Sequence, residues 1–220
     1  MTQAISGWTV IGLFLLAAVT HAGGWAVVTV TLPDTVVVGQ PVTVRYSVRQ
    51  HGQRLLNGLQ GRVEAWSGGT VISAPATATD KDGHYAATLT LPRAGTWTLD
   101  VVSGFPNGSG RAALRAVRPG DDTESALSPV AKGSGLFVSK GCATCHLEGM
   151  SSAPAIKGSG YEPQYLTQFL KRPPVRGANE WGMPDLELDE EEIASLVAYL
   201  NAARTRGSSS AQADSQVSRP

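Results

Sequence analysis

Six consecutive residues hold both of the chain's thiols: Gly141-Cys142-Ala143-Thr144-Cys145-His146. The chain is 220 residues long and has only two cysteines, three positions apart, with an imidazole directly after the second. Three chemistries use such a cluster. Two thiols in one helical turn can add to the two vinyl groups on one edge of a porphyrin, which carries the adjacent imidazole under the iron; this is the C-x-x-C-H pattern of covalent haem attachment. A C-x-x-C dithiol can exchange disulfides, but that role wants a βαβ setting, and the surrounding sequence has none. Structural zinc wants four ligands, usually in two separated pairs, and no second Cys or His pair exists. The plain alternative is a chance pair of buried cysteines followed by a histidine. The setting favours haem, because the cluster follows a helical segment, lies in a chain with an export-type N-terminus and has a candidate second iron ligand downstream.

That second ligand has to come from the opposite face of the ring. The methionines are Met1, Met150 and Met183. Met1 lies in the apolar N-terminal segment. Met150 is four residues past His146 and would have to reach around the ring, so it reads as a packing or surface residue. Met183 lies 37 residues beyond His146, in Trp181-Gly182-Met183-Pro184. Glycine allows close approach of the backbone and proline stiffens the loop, which makes Met183 the expected distal ligand. Its plainer alternative is a loop methionine filling a core gap. His21, His51 and His84 lie in the N-terminal segment or the strand-rich region and read as surface or turn residues.

The elements that must position this cluster occupy the C-terminal part of the chain. Ser128-Pro129 suits a helix start, and Leu136, Phe137 and Lys140 lead into the Cys motif. Glu162–Pro173 reads as a short helix with Tyr165 and Phe169, and with them Leu166 and Leu170, on its apolar side, stopped by Pro173-Pro174. The strongest helical pattern is Leu188–Arg204. Asp189 and Glu192 make a capping-box start, and Ile193, Leu196, Val197 and Leu200 form one stripe.

Residues 25–118 differ in character. Segments such as Trp25–Leu32, Pro41–Arg49, Gly61–Ser67, His84–Pro92 and Thr96–Gly104 are rich in Val, Thr and aromatics and alternate with period two. About seven short strands separated by turn signals predict an antiparallel β-sandwich. Tyr85, Leu89, Leu91, Trp97 and Leu99 are the candidates for its inward face. The fold class is therefore multidomain: an N-terminal antiparallel, immunoglobulin-like β-sandwich and a C-terminal all-α domain. The expected boundaries are 25–118 for the sandwich, 119–129 for a polar, proline-bracketed linker, 130–206 for the helical domain and 207–220 for a disordered tail.

Residues 1–24 begin with no Asp, Glu, Lys or Arg and centre on an apolar run from Val10 to Val19. The pattern predicts either a signal peptide cleaved after Ala22 or an uncleaved N-terminal membrane anchor. Both readings place the rest of the chain outside the cytoplasm. The formal net charge is zero and only 16% of residues are charged, and no basic run offers a nucleic-acid footprint. From Lys132 to Ala203 there are 6 basic and 9 acidic residues, against 9 and 5 from Trp25 to Arg118. That asymmetry allows weak steering of partners, or attraction between the two domains. The Asp189–Glu192 cluster is explained by the helix N-terminus alone.

From about Val130 to Arg204 the chain resembles a class I cytochrome c. The matching stretches are GLFVSKGCATCH, APAIKG, YLTQFLKRP, WGMP and EEIASLVAYL, in that order. The resemblance implies one covalent haem c held by Cys142 and Cys145, with His146 as proximal and Met183 as distal iron ligand. It implies that the carbonyl of Pro154 steadies the proximal imidazole. Gly135 and Phe137 match first-helix positions that pack against the last helix at Tyr199 and Leu200. Trp181 packs near the haem edge or serves as an ordinary cleft aromatic.

Residues 25–118 look like the small immunoglobulin-like modules fused to exported bacterial redox proteins. Some relatives handle copper, but this domain has no Cys or Met, so a docking or spacer role is expected of it.

The function these readings predict is outer-sphere, one-electron transfer between extracytoplasmic redox-partner proteins, without catalysis. The alternatives are a haem-based sensor or binding module, a catalytic subunit with an open iron site, or a subunit of a membrane oxidase or dehydrogenase complex held by the N-terminal anchor.

Overall fold

The computed structural model describes residues 24–122, 127–147, 153–154, 156, 160–174 and 182–202. The expected export segment (up to residue 23), part of the linker and the expected tail lie outside the described residues.

Ten strands form the N-terminal unit: β1 (Ala26–Thr31), β2 (Thr35–Val37), β3 (Pro41–Gln50), β4 (Arg54–Leu55), β5 (Arg62–Ser67), β6 (Thr70–Pro75), β7 (Thr77–Ala78), β8 (His84–Thr90), β9 (Gly95–Val102) and β10 (Ser109–Val117). They make two five-stranded sheets. One has the order β1-β3-β8-β7, with β4 added beside β3; the other runs β2-β10-β9-β5-β6. The count exceeds the seven expected chiefly because β2, β4 and β7 are two or three residues long, too short to show an alternation. One pairing departs from the antiparallel expectation. The Leu32–Asp34 step carries the chain from one sheet to the other, and β2 joins β10 in parallel.

The inward face is set by simple alternation. In β3, Val42, Val44, Tyr46 and Val48 are buried in the sandwich core, and β8 and β9 add Tyr85, Leu89, Trp97 and Leu99. Leu91, just after β8, is buried with them, so all five residues expected to point inward do so. Each such side chain contributes roughly 1.5–3 kcal/mol by leaving water.

Alternation fails where the sandwich meets the helices. Ala26, Val28 and Val30 of β1 belong to the sandwich core, while Val27 belongs to the helical core. Thr29, Ser47 and Arg49, on the nominal outer face, are also buried. A strand apolar on both faces is a strand covered on both faces.

The C-terminal region contains α1 (Pro129–Ser139), α2 (Ala143–His146), α3 (Pro163–Lys171) and α4 (190–202). Ser128 caps α1, its Oγ accepting from the Ala131 N–H at 3.3 Å. At the start of α4 the capping box closes in both directions. Glu192 N–H donates to Asp189 Oδ1 at 2.8 Å, and Asp189 N–H donates to Glu192 Oε2 at 3.2 Å. Ile193, Leu196 and Leu200 are buried and Val197 partly so.

Two details of helix packing differ from expectation. Phe137 does meet Tyr199, with ring centroids 5.6 Å apart, but the close approach of α1 to α4 is at Gly133 rather than Gly135. A Cβ on Gly133 would collide with the Ser195 carbonyl and lie 2.7 Å from Tyr199 Cβ, whereas one on Gly135 would meet nothing within 4 Å. In α3 Leu166 and Leu170 are buried as expected, but Tyr165 is exposed; it stacks on Tyr161 and meets Phe169 at a tilt.

Candidate functional site

The Cys motif is positioned by the end of α1. After Lys140 the chain turns through Gly141 at φ +80°, where a Cβ would lie 2.7 Å from Val27 Cγ1 and 3.0 Å from the Val28 carbonyl. Only glycine suits both the backbone conformation and the contact with β1. The turn starts α2, in which the His146 N–H donates to the Cys142 carbonyl at 2.9 Å. Cys142, Cys145 and His146 therefore lie on about one helical turn.

Lys140 is 2% exposed. Its Nζ is satisfied by Glu192 at 2.6 Å, which ties the end of α1 to the start of α4. The Lys140 carbonyl accepts from Thr29 Oγ1 of β1 at 3.4 Å. Two more acids of the cluster are also paired, Glu190 with Lys171 and Glu191 with Lys132, each at 2.8 Å. The helix N-terminus is thus not their sole partner.

A cavity of about 430 Å³ opens beside the motif, within the roughly 300–1,000 Å³ usual for small-molecule and cofactor sites. Cys142, Cys145 and His146 line it together with Met183, so the fold brings to one space residues that the sequence separates by 37 positions. Phe137, Leu166, Leu170, Leu196 and Leu200 supply apolar wall. Pro154 also lines the cavity, and the His146 Nδ1–H donates to its carbonyl at 2.8 Å. That bond fixes the tautomer and leaves Nε2 with the lone pair, as a metal-ligating imidazole requires. Met150 and Trp181 lie outside the described residues.

The two sulfurs are not joined in a disulfide. Burial pushes the Cys142 thiol up to about 12, with the neighbouring Cys145 adding to the shift. A nucleophile for disulfide exchange needs the opposite shift. No cluster of three or more His, Cys, Asp or Glu side chains is arranged to hold a metal ion among the described residues. The donor set of one imidazole and one thioether, the apolar wall and the paired thiols all fit a covalently attached haem.

The wall residues Trp25, Val27 and His51 come from the sandwich, a contribution not foreseen from sequence. His51 is a turn residue, as expected, but at φ 52° it sits against Trp25 with ring centroids 5.7 Å apart and faces the cavity. The sandwich is therefore part of the site's enclosure. The only local hint was the two-faced apolarity of Trp25–Val30.

The family profile described as cytochrome C oxidase, cbb3-type, subunit III matches residues 128–200. No curated protein matches the chain. Among solved structures, the Lin-41 filamin domain is 15% identical over 41% of this chain and 92% of its own, with a TM-score of 0.36. A superoxide reductase (neelaredoxin) from Ignicoccus hospitalis is 15% identical over 41% and 80%, with a TM-score of 0.30. A CARDB domain from Pyrococcus furiosus is 13% identical over 43% and 94%, at 0.28. At these scores none of the three bears on function.

The helices of the C-terminal region match a cytochrome c domain, and they stand beside an N-terminal unit rich in β-sheet. A cytochrome c domain implies covalently bound haem c and haem-based electron transfer in general, and such domains are generally extracytoplasmic. No helix among the described residues is long and apolar enough to cross a membrane.

Proposed function

We propose that this protein is an exported, mono-haem c-type cytochrome that passes single electrons between extracytoplasmic redox proteins and is not itself a catalyst. The observation that carries this reading is the convergence of Cys142, Cys145, His146 and Met183 on one largely apolar cavity, with the His146 Nδ1–H tied to the Pro154 carbonyl. In this reading Cys142 and Cys145 would hold the haem through thioether bonds, and His146 Nε2 and the Met183 sulfur would be the groups that bind its iron. Haem bound in this way supplies a reversible ferric–ferrous couple.

The chain's own groups do the rest. Pro154 holds the imidazole in orientation, the apolar wall excludes water, and the thioether of Met183 favours reduced iron. An iron held by both His146 and Met183 would have protein donors where a substrate would otherwise bind, which is why the reading is a carrier and not a catalyst.

The match to a cbb3-type oxidase subunit favours a second setting for the same chemistry, a membrane oxidase complex in which this domain relays electrons. Fractionation of the producing cells separates the two. A carrier is released with the soluble extracytoplasmic proteins, and an anchored subunit stays with the membranes.

The test of the site is spectroscopic. The holoprotein is expected to show a low-spin c-type spectrum and, when reduced, to ignore carbon monoxide, while Met183→Ala binds it. Ready binding of carbon monoxide by the wild type would instead mark an open or labile sixth position, and the sensing or catalytic readings would move ahead. Failure to attach haem in a host competent to do so would overturn the roles given to Cys142, Cys145 and His146.

A further inference from the structure

The loop that carries Met183 is fastened to the sandwich. Pro184 packs on Gly52, whose φ is +73° and where an added Cβ would lie 3.6 Å from Pro184 Cδ. Leu186 is buried in the helical core. Glu187 then adopts φ 54°, a conformation that L side chains rarely take, and its N–H donates to Asp185 Oδ1 at 2.9 Å.

The reason for this conformation lies across the domain boundary. Arg49 of β3 donates from Nη2 to the Glu187 carboxylate at 2.8 Å. Lys81, before β8, donates to the other oxygen, Oε2, and His84 Nε2 lies 3.5 Å from Oε1. Arg49 is 6% exposed, and it also donates from Nη1 to Ser47 Oγ at 2.6 Å. A guanidinium that deeply covered is costly without a carboxylate beside it. Burial raises the Glu187 carboxyl, but Lys81, Arg49 and His84 together hold it below its ordinary range.

We infer that Arg49 and Glu187 are positioning residues for the axial methionine: the sandwich grips the loop four residues beyond Met183 and thereby sets how firmly the thioether stays on the iron. The inference rests on the reading of Met183 as distal ligand. It gives the sandwich a role in tuning the haem, beyond that of a spacer.

The test uses full-length holoprotein with Glu187→Gln, Arg49→Met, Lys81→Ala and the conservative Glu187→Asp. Three quantities are read: the long-wavelength absorption band of thioether-ligated ferric iron, the affinity of ferric protein for added imidazole, and the reduction potential. The side chain of Glu187 is 42% exposed, so screening limits the effect. Glu187→Gln and Arg49→Met are each expected to tighten imidazole binding about tenfold, weaken the band and lower the potential. Lys81→Ala, at an exposed position that tolerates change, should move all three the same way by less, and Glu187→Asp should recover part of the loss. If the variants only melt earlier, with the band, imidazole affinity and potential unchanged, the grip is structural and the inference is overturned. If the band is already missing in the wild type, or survives in Met183→Ala, the distal-ligand reading itself has failed, a result distinct from the former.

Discussion

Tyr46 and Tyr85 face each other across β3 and β8 with ring centroids 5.3 Å apart, yet their hydroxyls are treated differently. Tyr85 donates to the Leu56 carbonyl at 2.7 Å and accepts from the Leu59 N–H at 3.1 Å. Tyr46 Oη is buried and has no hydrogen-bond partner among the described residues. An unsatisfied buried hydroxyl costs stability, while a satisfied one is costly to delete. Tyr46→Phe is therefore expected to leave denaturant stability unchanged or raise it by about 1 kcal/mol, and Tyr85→Phe to lower it by about 1–3 kcal/mol. Alkaline titration gives a second check. Burial, and then the neighbouring Tyr85, push the Tyr46 phenol from 10.0 up to about 12. The native state thus keeps a proton that the unfolded chain gives up, and stability falls as pH rises from about 10 to about 12. Two units correspond to about 3 kcal/mol. Tyr46→Phe should be less sensitive than wild type over that window in urea melts at fixed pH; equal sensitivity would dismiss this account of the hydroxyl.

At the scale of elements, the crossing of α1 and α4 separates two glycines that look alike in sequence. Gly133→Ala forces a methyl group into the Ser195 carbonyl and is expected to cost about 1–3 kcal/mol. Gly135→Ala meets nothing and should gain roughly 0.5–1 kcal/mol from better helix propensity. Thermal melts that rank the two variants the other way would put the crossing at Gly135 after all. Local signals were readable here: the Asp189–Glu192 box and the Ile193-Leu196-Leu200 stripe need only one helix to be recognised. Which glycine meets α4 is not local, since two positions along α1 are about 200° apart around the axis and only the partner helix chooses. The same holds for α3, where Tyr165/Phe169 and Leu166/Leu170 are neighbouring i, i+4 rows and the core selects the second. The Cys motif, His146 and Met183 could be picked out because ligand types are scarce in this chain. Trp25, Val27 and His51 could not, because their place in the cavity wall depends on how the sandwich docks. The two-sided apolarity of Ala26–Val30 was the one trace of that docking, and β2, β4 and β7 were too short to leave any.

For the whole molecule, the open question of energetics is whether sandwich and helices unfold together. Interfaces between domains of one chain are often small and polar, and relative motion is then the default. This one mixes two kinds of contact. Lys132 reaches Asp34 at 2.8 Å, and Arg49 and Lys81 reach Glu187. Val27, meanwhile, sits 2% exposed within the helical core, and Gly141 lies against β1. Salt screens exposed pairs but leaves apolar packing intact. We therefore expect one cooperative transition on heating the holoprotein, with the amide infrared signal of the strands and the haem absorbance changing together, and we expect that coincidence to survive about 1 M salt, where the Debye length is only about 3 Å. Val27→Asp, which puts an unpaired charge into the shared core, should split the transition, the haem signal being lost first. Separate transitions in the wild type at low salt would mean that the two units fold independently. Separation only at high salt would mean that the ion pairs hold the interface and Val27 does not.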